Sequence, residues 1–358
     1  MTVVITGGAG FVGAAISIAI KRRWSERAVI AFDSLHRRGS ELNLPRLAEA
    51  GVSFMHGDVR CEEDLDLVPG PLSLLIDCAA EPSVTAAYTQ SPRAVLTTNL
   101  GGTINCLERA RRDRCDVVLL STSRVYSIPA LRGLPLVEAH TRLAMSHTEA
   151  VPGASDRGIS EAFPVGQHCS LYGASKLASE LLLAEYAAMY DFRFLVNRCG
   201  VIAGPGQFAR SDQGVFALWM LRHMQSRPLR YIGWGGTGLQ VRDLLHVEDL
   251  VDLLLLQTGE MERHNGKTYN VGGGVRGSLS LRETTELCHA ITGNALDLAS
   301  EPTTHPADIP YYVTDFSQLS RATGWTPRRS PEEILRDIHA WITGLSPQEL
   351  AVLDPGAS

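Results

Sequence analysis

Short apolar runs alternate with helix-length segments through the first half of the chain. Val3–Thr6 leads into a glycine-rich turn and an Ala/Ile-rich stretch that reads as a helix over Ala14–Arg23. Ala28–Phe32, a polar loop, a helix near Glu41–Glu49 and Val52–Met55 repeat the unit. Leu72–Asp77 and Val117–Leu120 repeat it again, with a long helix near Thr97–Arg112 between them. Strands that are apolar at every position, separated by helices, predict a parallel sheet covered on both faces. The pattern is that of a doubly wound α/β domain.

Between Tyr126 and Tyr172 the alternation stops, and the chain becomes rich in Pro, Gly, Ser and His. An insertion of that length within a compact domain is read either as a lid or as a surface excursion. A helix over Tyr172–Tyr190 and a strand over Phe192–Val196 then resume the pattern. Beyond them, Gly204-Pro205-Gly206, Gly233–Gly238 and Gly272-Gly273-Gly274 punctuate a region that reads as smaller and loop-rich. The expected division is a Rossmann domain over 1–198 (insertion 127–170), a smaller α+β substrate-binding region over 199–345 partly interleaved with it, and a tail over 346–358.

Composition narrows the class. The 358 residues carry 44% hydrophobic and 20% charged side chains, as ordinary globular proteins do, and only 6% aromatics beside 33 glycines. A net charge of −6 supplies no basic field for DNA or RNA. No run of eighteen apolar residues predicts a membrane span, and the start of the chain reads as a buried strand rather than a signal peptide. Seven scattered cysteines without CxxC spacing suit a reducing, cytoplasmic setting, and no Cys/His cluster suggests a metal.

Gly7-Gly8-Ala9-Gly10-Phe11-Val12-Gly13 lies between the first strand and the first helix. Its glycines at 7, 10 and 13 turn the chain, let backbone approach a pyrophosphate and pack helix on strand. The helix start then offers free N–H groups to phosphate. Asp33, twenty residues past Gly13, ends the second strand, where a carboxylate accepts both ribose hydroxyls and repels a 2′-phosphate. That favours NAD over NADP, although Arg37 and Arg38 nearby keep the alternative open. Asp58 and Val59 follow the third strand, with Asp58 within the reach of an adenine amino group. Ala79 and Ala80 follow the fourth, small enough for a cofactor to lie across the sheet edge.

Thr122 follows the fifth strand, and Tyr172 and Lys176 stand four apart on one helix face. An ammonium beside a phenol stabilises the phenolate, which then exchanges a proton with a substrate hydroxyl while hydride passes to or from a nicotinamide. Thr122 would hydrogen-bond the same hydroxyl, and Lys176 would also hold the nicotinamide ribose.

In this order, these residues resemble the extended short-chain dehydrogenase/reductases, the sugar-nucleotide epimerases and dehydratases, over roughly Val3 to Ile342. Several segments are similar to the CDP-paratose 2-epimerase branch: Arg37–Asn43, Ala79–Val84, Gly158–Glu161, Gly204–Phe208 leading to Asp212-Gln213-Gly214, Gln240–Val247 and Tyr269–Gly273. The resemblance implies tightly held NAD, a catalytic set of Thr122, Tyr172 and Lys176, and a nucleotide-diphosphate sugar bound between the domains. Its substrate contacts would come from Glu81, Ser83, Arg124, Gln207, Gln213, Arg242 and His305, with Arg242 near the phosphates. From its neighbours alone, Arg242 could equally form a structural salt bridge to Asp243 or nearby groups. The superfamily often forms homodimers through helices such as Thr97–Arg112 and Tyr172–Tyr190.

Three positions bear on the reaction. The dehydratases place Asp-Glu after the strand-end threonine, whereas this chain has Ser123-Arg124, which disfavours water loss. Where the superfamily has Arg-Pro-Gly-Asp, with an arginine on the phosphate, this chain has His305-Pro306-Ala307-Asp308. The branch has glutamine where Glu81 stands. The reading that follows is an NAD-dependent epimerase acting at C2 of a nucleotide-activated sugar. The alternatives are a C4 epimerase or a net dehydrogenase on another nucleotide-linked substrate. A scaffold without catalysis would have no need of the phenol–ammonium pair.

Overall fold

The computed structural model describes residues 1–89, 91–146, 150–209 and 214–353. Gln213 and the last five residues lie outside them. Seven strands form the main sheet: β1 (Thr2–Thr6), β2 (Ala28–Asp33), β3 (Ser53–His56), β4 (Leu72–Asp77), β5 (Asp116–Thr122), β6 (Phe194–Cys199) and β7 (Lys267–Val271). Their order is β7-β6-β5-β4-β1-β2-β3. The register makes β1 parallel to both β2 and β4, β2 parallel to β3, and β4 parallel to β5. The sheet is the parallel, doubly wound one that the apolar strands imply. Val3, Val4 and Ile5 are completely buried, as strands covered on both faces must be.

The chain divides into two compact units, each made of three segments that alternate in sequence. The first holds Met1–Val125, Leu171–Arg198 and Leu250–Tyr269. Its core joins Phe32, Leu75, Val117 and Val196 of the sheet to Leu107 and Leu183 of the helices Gly102–Asp113 and Ser170–Tyr190. The long helix expected near Thr97–Arg112 is not uniform. It opens with a π turn over Thr97–Gly101 and continues as an α-helix over Gly102–Asp113.

The second unit holds Tyr126–Ser170, Cys199–Asp249 and Asn270–Ser358. With the insertion counted in it, it is no shorter than the first. Its central strand, Val241–His246, runs parallel to Val201–Ala203 and Tyr311–Tyr312 and antiparallel to Ser278–Ser280. The helices Val215–Met224, Leu281–Thr292 and Pro331–Thr343 share a core of Phe216, Trp219, Met220, Cys288, Ile334 and Ile338. Capping boxes start two of these helices, Ser280 with Glu283 and Ser330 with Glu333. The tail expected from 346 onwards is shorter than its composition suggested. Pro347–Leu353 is helical, and Leu353 is buried in the second unit's core.

Part of the insertion is tied firmly into this second unit. The Ile159 N–H donates to the Val313 carbonyl at 2.7 Å, and the Ile159 carbonyl accepts from the Asp315 N–H and the Asn270 side-chain amide, both at 2.9 Å. Glu161 accepts from the Asn270 N–H at 2.7 Å. Tyr126 stacks against Tyr312, meets Phe163 edge-on and donates to Asn270 Oδ1 at 2.7 Å. Among the described residues, no helix is long and apolar enough to cross a membrane.

Candidate active site

Gly7, Gly10, Gly13, Asp33, Asp58, Val59, Ala79 and Ala80 lie at or after the C-terminal ends of parallel strands, and Tyr172 and Lys176 lie on a helix. The sheet order reverses between β1 and β4, the place where open α/β sheets leave a ligand crevice. Gly7 takes φ +62°, open to glycine at little cost, and hands over to the helix Phe11–Arg23. A Cβ on Gly13 would collide with the Gly7 carbonyl, so the turn closes only because that atom is missing. The helix is capped by Gly10 without a side-chain hydrogen bond and has no acidic residue in its first turn. Phe11 and Val12 begin it, half-buried. Such an end presents unfilled N–H groups to an anion.

Asp33 at the end of β2 accepts from the Ala9 N–H at 3.1 Å and the Leu35 N–H at 2.8 Å. Those bonds fix the carboxylate against the glycine turn, while burial pushes its pKa above the ordinary value of 3.8. Asp58 is held differently. Arg60 grips both carboxylate oxygens and keeps Asp58 below its usual range. Val59 beside it is buried. The backbone of Ala79 donates to Thr6 Oγ1 at 3.2 Å, and Thr6 in turn donates to Asp77 at 2.8 Å, so the end of β4 is anchored to β1. Ala80 follows, half-buried.

Thr122 ends β5 with its side chain buried, and its Oγ1 accepts from the Arg124 N–H at 3.2 Å. Arg124 lies in the single turn Ser123–Val125. Tyr172 and Lys176 occupy the first two turns of the helix Ser170–Tyr190, which starts at a Ser170 of φ +68°. Lys176 is 2% exposed, and its Nζ has no hydrogen-bond partner among the described residues. A buried ammonium in that condition is a site built for something else to occupy. With the Gly13 cradle, the open helix end and Asp33, it fits a dinucleotide.

Two supports escape a reading of the sequence. Asn99, inside the π turn, accepts from the Glu81 N–H at 2.7 Å and donates both to the Glu81 carbonyl and to Ser175 Oγ at 3.2 Å. It therefore joins the loop after β4 to the helix of Tyr172 and Lys176. Glu180 joins that helix to Ser121 and Arg198. For Glu180 the signal is a carboxylate beside Leu181-Leu182-Leu183; for Asn99, among Thr97, Thr98 and Gly101, there is none. Ser83 is buried, and its N–H donates to Glu81 Oε1 at 3.3 Å.

The remaining substrate candidates belong to the second unit. Arg242 does not pair with Asp243. Its guanidinium donates to Asp308 Oδ1 at 3.0 Å, to the Ile309 carbonyl at 2.6 Å and to its own neighbour's carbonyl at 2.8 Å. Burial pulls its pKa below the ordinary value against the opposing pull of Asp308. Asp308 also accepts from Trp234 Nε1 at 2.8 Å. Arg132, from the insertion, donates to the carbonyls of His305, Pro306 and Asp308, and its guanidinium stands 5.5 Å from the Trp234 ring centroid. His305 Nδ1 accepts from the Ala307 N–H at 3.1 Å, so the proton of a neutral ring sits on Nε2. Gln207 is buried, donates to the Ile202 carbonyl at 2.7 Å and has no donor to its Oε1 among the described residues.

An NAD-type site on a doubly wound sheet, with a threonine, a tyrosine and a lysine at its strand and helix ends, defines a class of short-chain oxidoreductase-like enzymes. The profile of the NAD dependent epimerase/dehydratase family matches residues 3–272, from the start of β1 to just past β7, and the chain belongs to that family. It is an NAD-dependent enzyme of the epimerase/dehydratase type. The chain is 27% identical to CDP-paratose 2-epimerase of Salmonella typhi over 356 residues, covering 96% of this chain and all of the relative. It is 28% identical to dTDP-glucose 4,6-dehydratase of Streptomyces antibioticus over 357 residues, 95% of this chain and 94% of the relative. Among solved structures, UDP-glucose 4-epimerase of Thermus thermophilus in complex with NAD superposes with a TM-score of 0.77 at 26% identity, covering 97% of this chain and all of that one.

Proposed function

We propose that this protein inverts C2 of a nucleotide-activated sugar by transient oxidation of the carbon that bears the hydroxyl. The observation that carries the reading is the end-to-end similarity to CDP-paratose 2-epimerase. Ser123-Arg124 after Thr122 supports it, since no carboxylate stands there to serve water loss.

The turn of Gly7, Gly10 and Gly13 and the helix start at Phe11 and Val12 would hold the pyrophosphate, and Asp33 the adenosine ribose. Asp58, Val59, Ala79 and Ala80 would line the rest of the cofactor, with Lys176 on the second ribose. NAD, when bound, supplies reversible uptake of hydride. Tyr172 takes the hydroxyl proton and returns it, with Lys176 four residues further along the same helix face. Thr122 Oγ1 hydrogen-bonds the same oxygen. A ketone at C4 would acidify C3 and C5 but not C2, so oxidation at C2 itself is the route that needs no additional base.

Glu81, Ser83, Arg124, Gln207, Gln213, Arg242 and His305 are the substrate contacts of this reading. Exposed Leu96, Ile104, Leu181 and Met189, on the helices of the first unit, are assigned to a second copy of the chain. A cytoplasmic setting accords with seven cysteines that are all free. The test is turnover of CDP-, UDP-, GDP- and dTDP-sugars in heavy water, followed by NMR and mass spectrometry. The expected product is inverted at C2 and keeps its original C2 hydrogen. Deuterium at C2 would require a C3 ketone and a carbon base, for which Glu81 is the first candidate. Inversion at C4 alone would sink the assignment to C2.

A further inference from the structure

The helix of Tyr172 and Lys176 carries a third ionisable side chain on the same face. Tyr172, Lys176 and Glu180 follow one another four residues apart, one stripe over successive turns. A lysine and a glutamate at that spacing ordinarily reach each other. Here they do not pair. Lys176 Nζ has no partner among the described residues, while the buried Glu180 is fully engaged elsewhere. Its carboxylate accepts from the Ser121 hydroxyl, from Arg198 Nε at 3.1 Å to each oxygen and from Arg198 Nη2 at 2.7 Å. Ser121 and Arg198 are also buried. A second buried carboxylate, Asp77, is also held, by the hydroxyls of Thr6 and Thr103 at 2.8 Å each.

We infer that Arg198 is a positioning residue for the cofactor site, which by occupying Glu180 keeps the Lys176 ammonium unpaired and available. The inference rests on the role given above to Lys176. Without the guanidinium, Glu180 would be a buried carboxylate with a single hydroxyl donor, an arrangement that demands a cation. Lys176, one turn away on its own helix, is the cation within reach, and pairing would draw it off the ribose. Ser121 extends the device to β5, because the carboxylate that Arg198 holds also fixes the residue next to Thr122.

The experiment measures NAD affinity of cofactor-stripped full-length protein, and NAD content as purified, for Arg198→Met, Glu180→Gln and the double variant. Arg198→Met is expected to weaken NAD binding about tenfold, and the double variant, with no carboxylate left to capture Lys176, to recover most of the loss. A merely structural ion pair gives the opposite pattern, with the double variant no tighter than Arg198→Met and affinity tracking thermal stability. That pattern, or wild-type affinity in Arg198→Met, overturns the inference. Should Arg198→Met not fold, Arg198→Gln removes the charge more gently and carries the same expectation and the same rescue by Glu180→Gln. NAD binding is read with no sugar present, so failure of the C2 assignment leaves the result standing. Wild-type NAD affinity in Lys176→Met would instead remove the role of Lys176 and the inference with it.

Discussion

Lys176 of the first unit and Arg242 of the second are cations held in different ways. In the first, the ammonium on the helix Ser170–Tyr190 is left with capacity to spare, and a carboxylate ends β2. Lys176 Nζ is unpartnered among the described residues, and Asp33 accepts from the N–H groups of Ala9 and Leu35, with Gly10 also acting on it. In the second, Arg242 is committed to Asp308 and two carbonyls, and Arg132 to three. The turn over 305–308 is thus held in shape by cations that a phosphate would otherwise attract.

The sharpest way to test that contrast is Tyr172→Phe. Loss of the proton relay should lower kcat by about 10²–10⁴-fold, while NAD content as purified stays at the wild-type level. A variant that loses both would show that the phenol belongs to the cofactor site rather than to the chemistry.

Next in size is Arg242→Met. It leaves the Asp308 carboxylate with Trp234 and the Ile309 N–H as its remaining described donors. Calorimetric stability should fall by about 2 kcal/mol, with part regained when Asp308 is also changed to Asn. Unchanged stability would break the comparison, because the bonds of Arg242 to Asp308 and Ile309 would then not hold the turn in shape.

What the sequence could and could not disclose follows the same division. Leu72–Asp77 appears in the structure with the bounds its apolar run predicts, and the other strands of the first half lie within two residues of theirs. Continuous apolar runs and the glycine turn are local signals. The strand Lys267–Val271 was not legible, since Lys267, Thr268 and Asn270 dilute its apolar pattern and it completes the sheet from far along the chain. Asn99 with Glu81 and Ser175, or Glu180 with Ser121 and Arg198, are pairings of residues distant in sequence, which no spacing rule reveals. A bridge from Arg242 to Asp243 or nearby groups is what its neighbours suggest, whereas its partner, Asp308, lies 66 residues away.

Asp33 gives a smaller effect with a defined pH sign. Asp33→Ala should weaken NAD binding about tenfold and narrow the preference over NADP. Burial raises the Asp33 carboxyl, so it takes up its proton at a higher pH than an exposed aspartate. The neutral form loses part of its capacity to accept the ribose hydroxyls. NAD affinity of the wild type should therefore fall on the acid side as pH drops through that raised value, and Asp33→Asn should lack this arm. Titration calorimetry across pH measures both.

The smallest effect is expected from His305→Arg. A guanidinium offers a charged fork where the imidazole offers one N–H, so sugar-nucleotide affinity should rise by about threefold and nucleoside monophosphate affinity by less. Equal, unchanged binding of both ligands would show that this turn does not meet the phosphates.

The alternation of the two units along the chain also governs how the protein can be made. The segment Leu250–Tyr269 belongs to the first unit and begins β7 of its sheet, yet it is synthesised after Cys199–Asp249 of the second. On the ribosome the nucleotide-binding sheet cannot gain its last strand until residue 271 has emerged, by which point much of the other unit is already waiting. Neither unit can therefore be exchanged between relatives by joining chains at a single boundary. Recombining the units of two relatives takes several crossovers at once, whereas substitution and loop insertion take none.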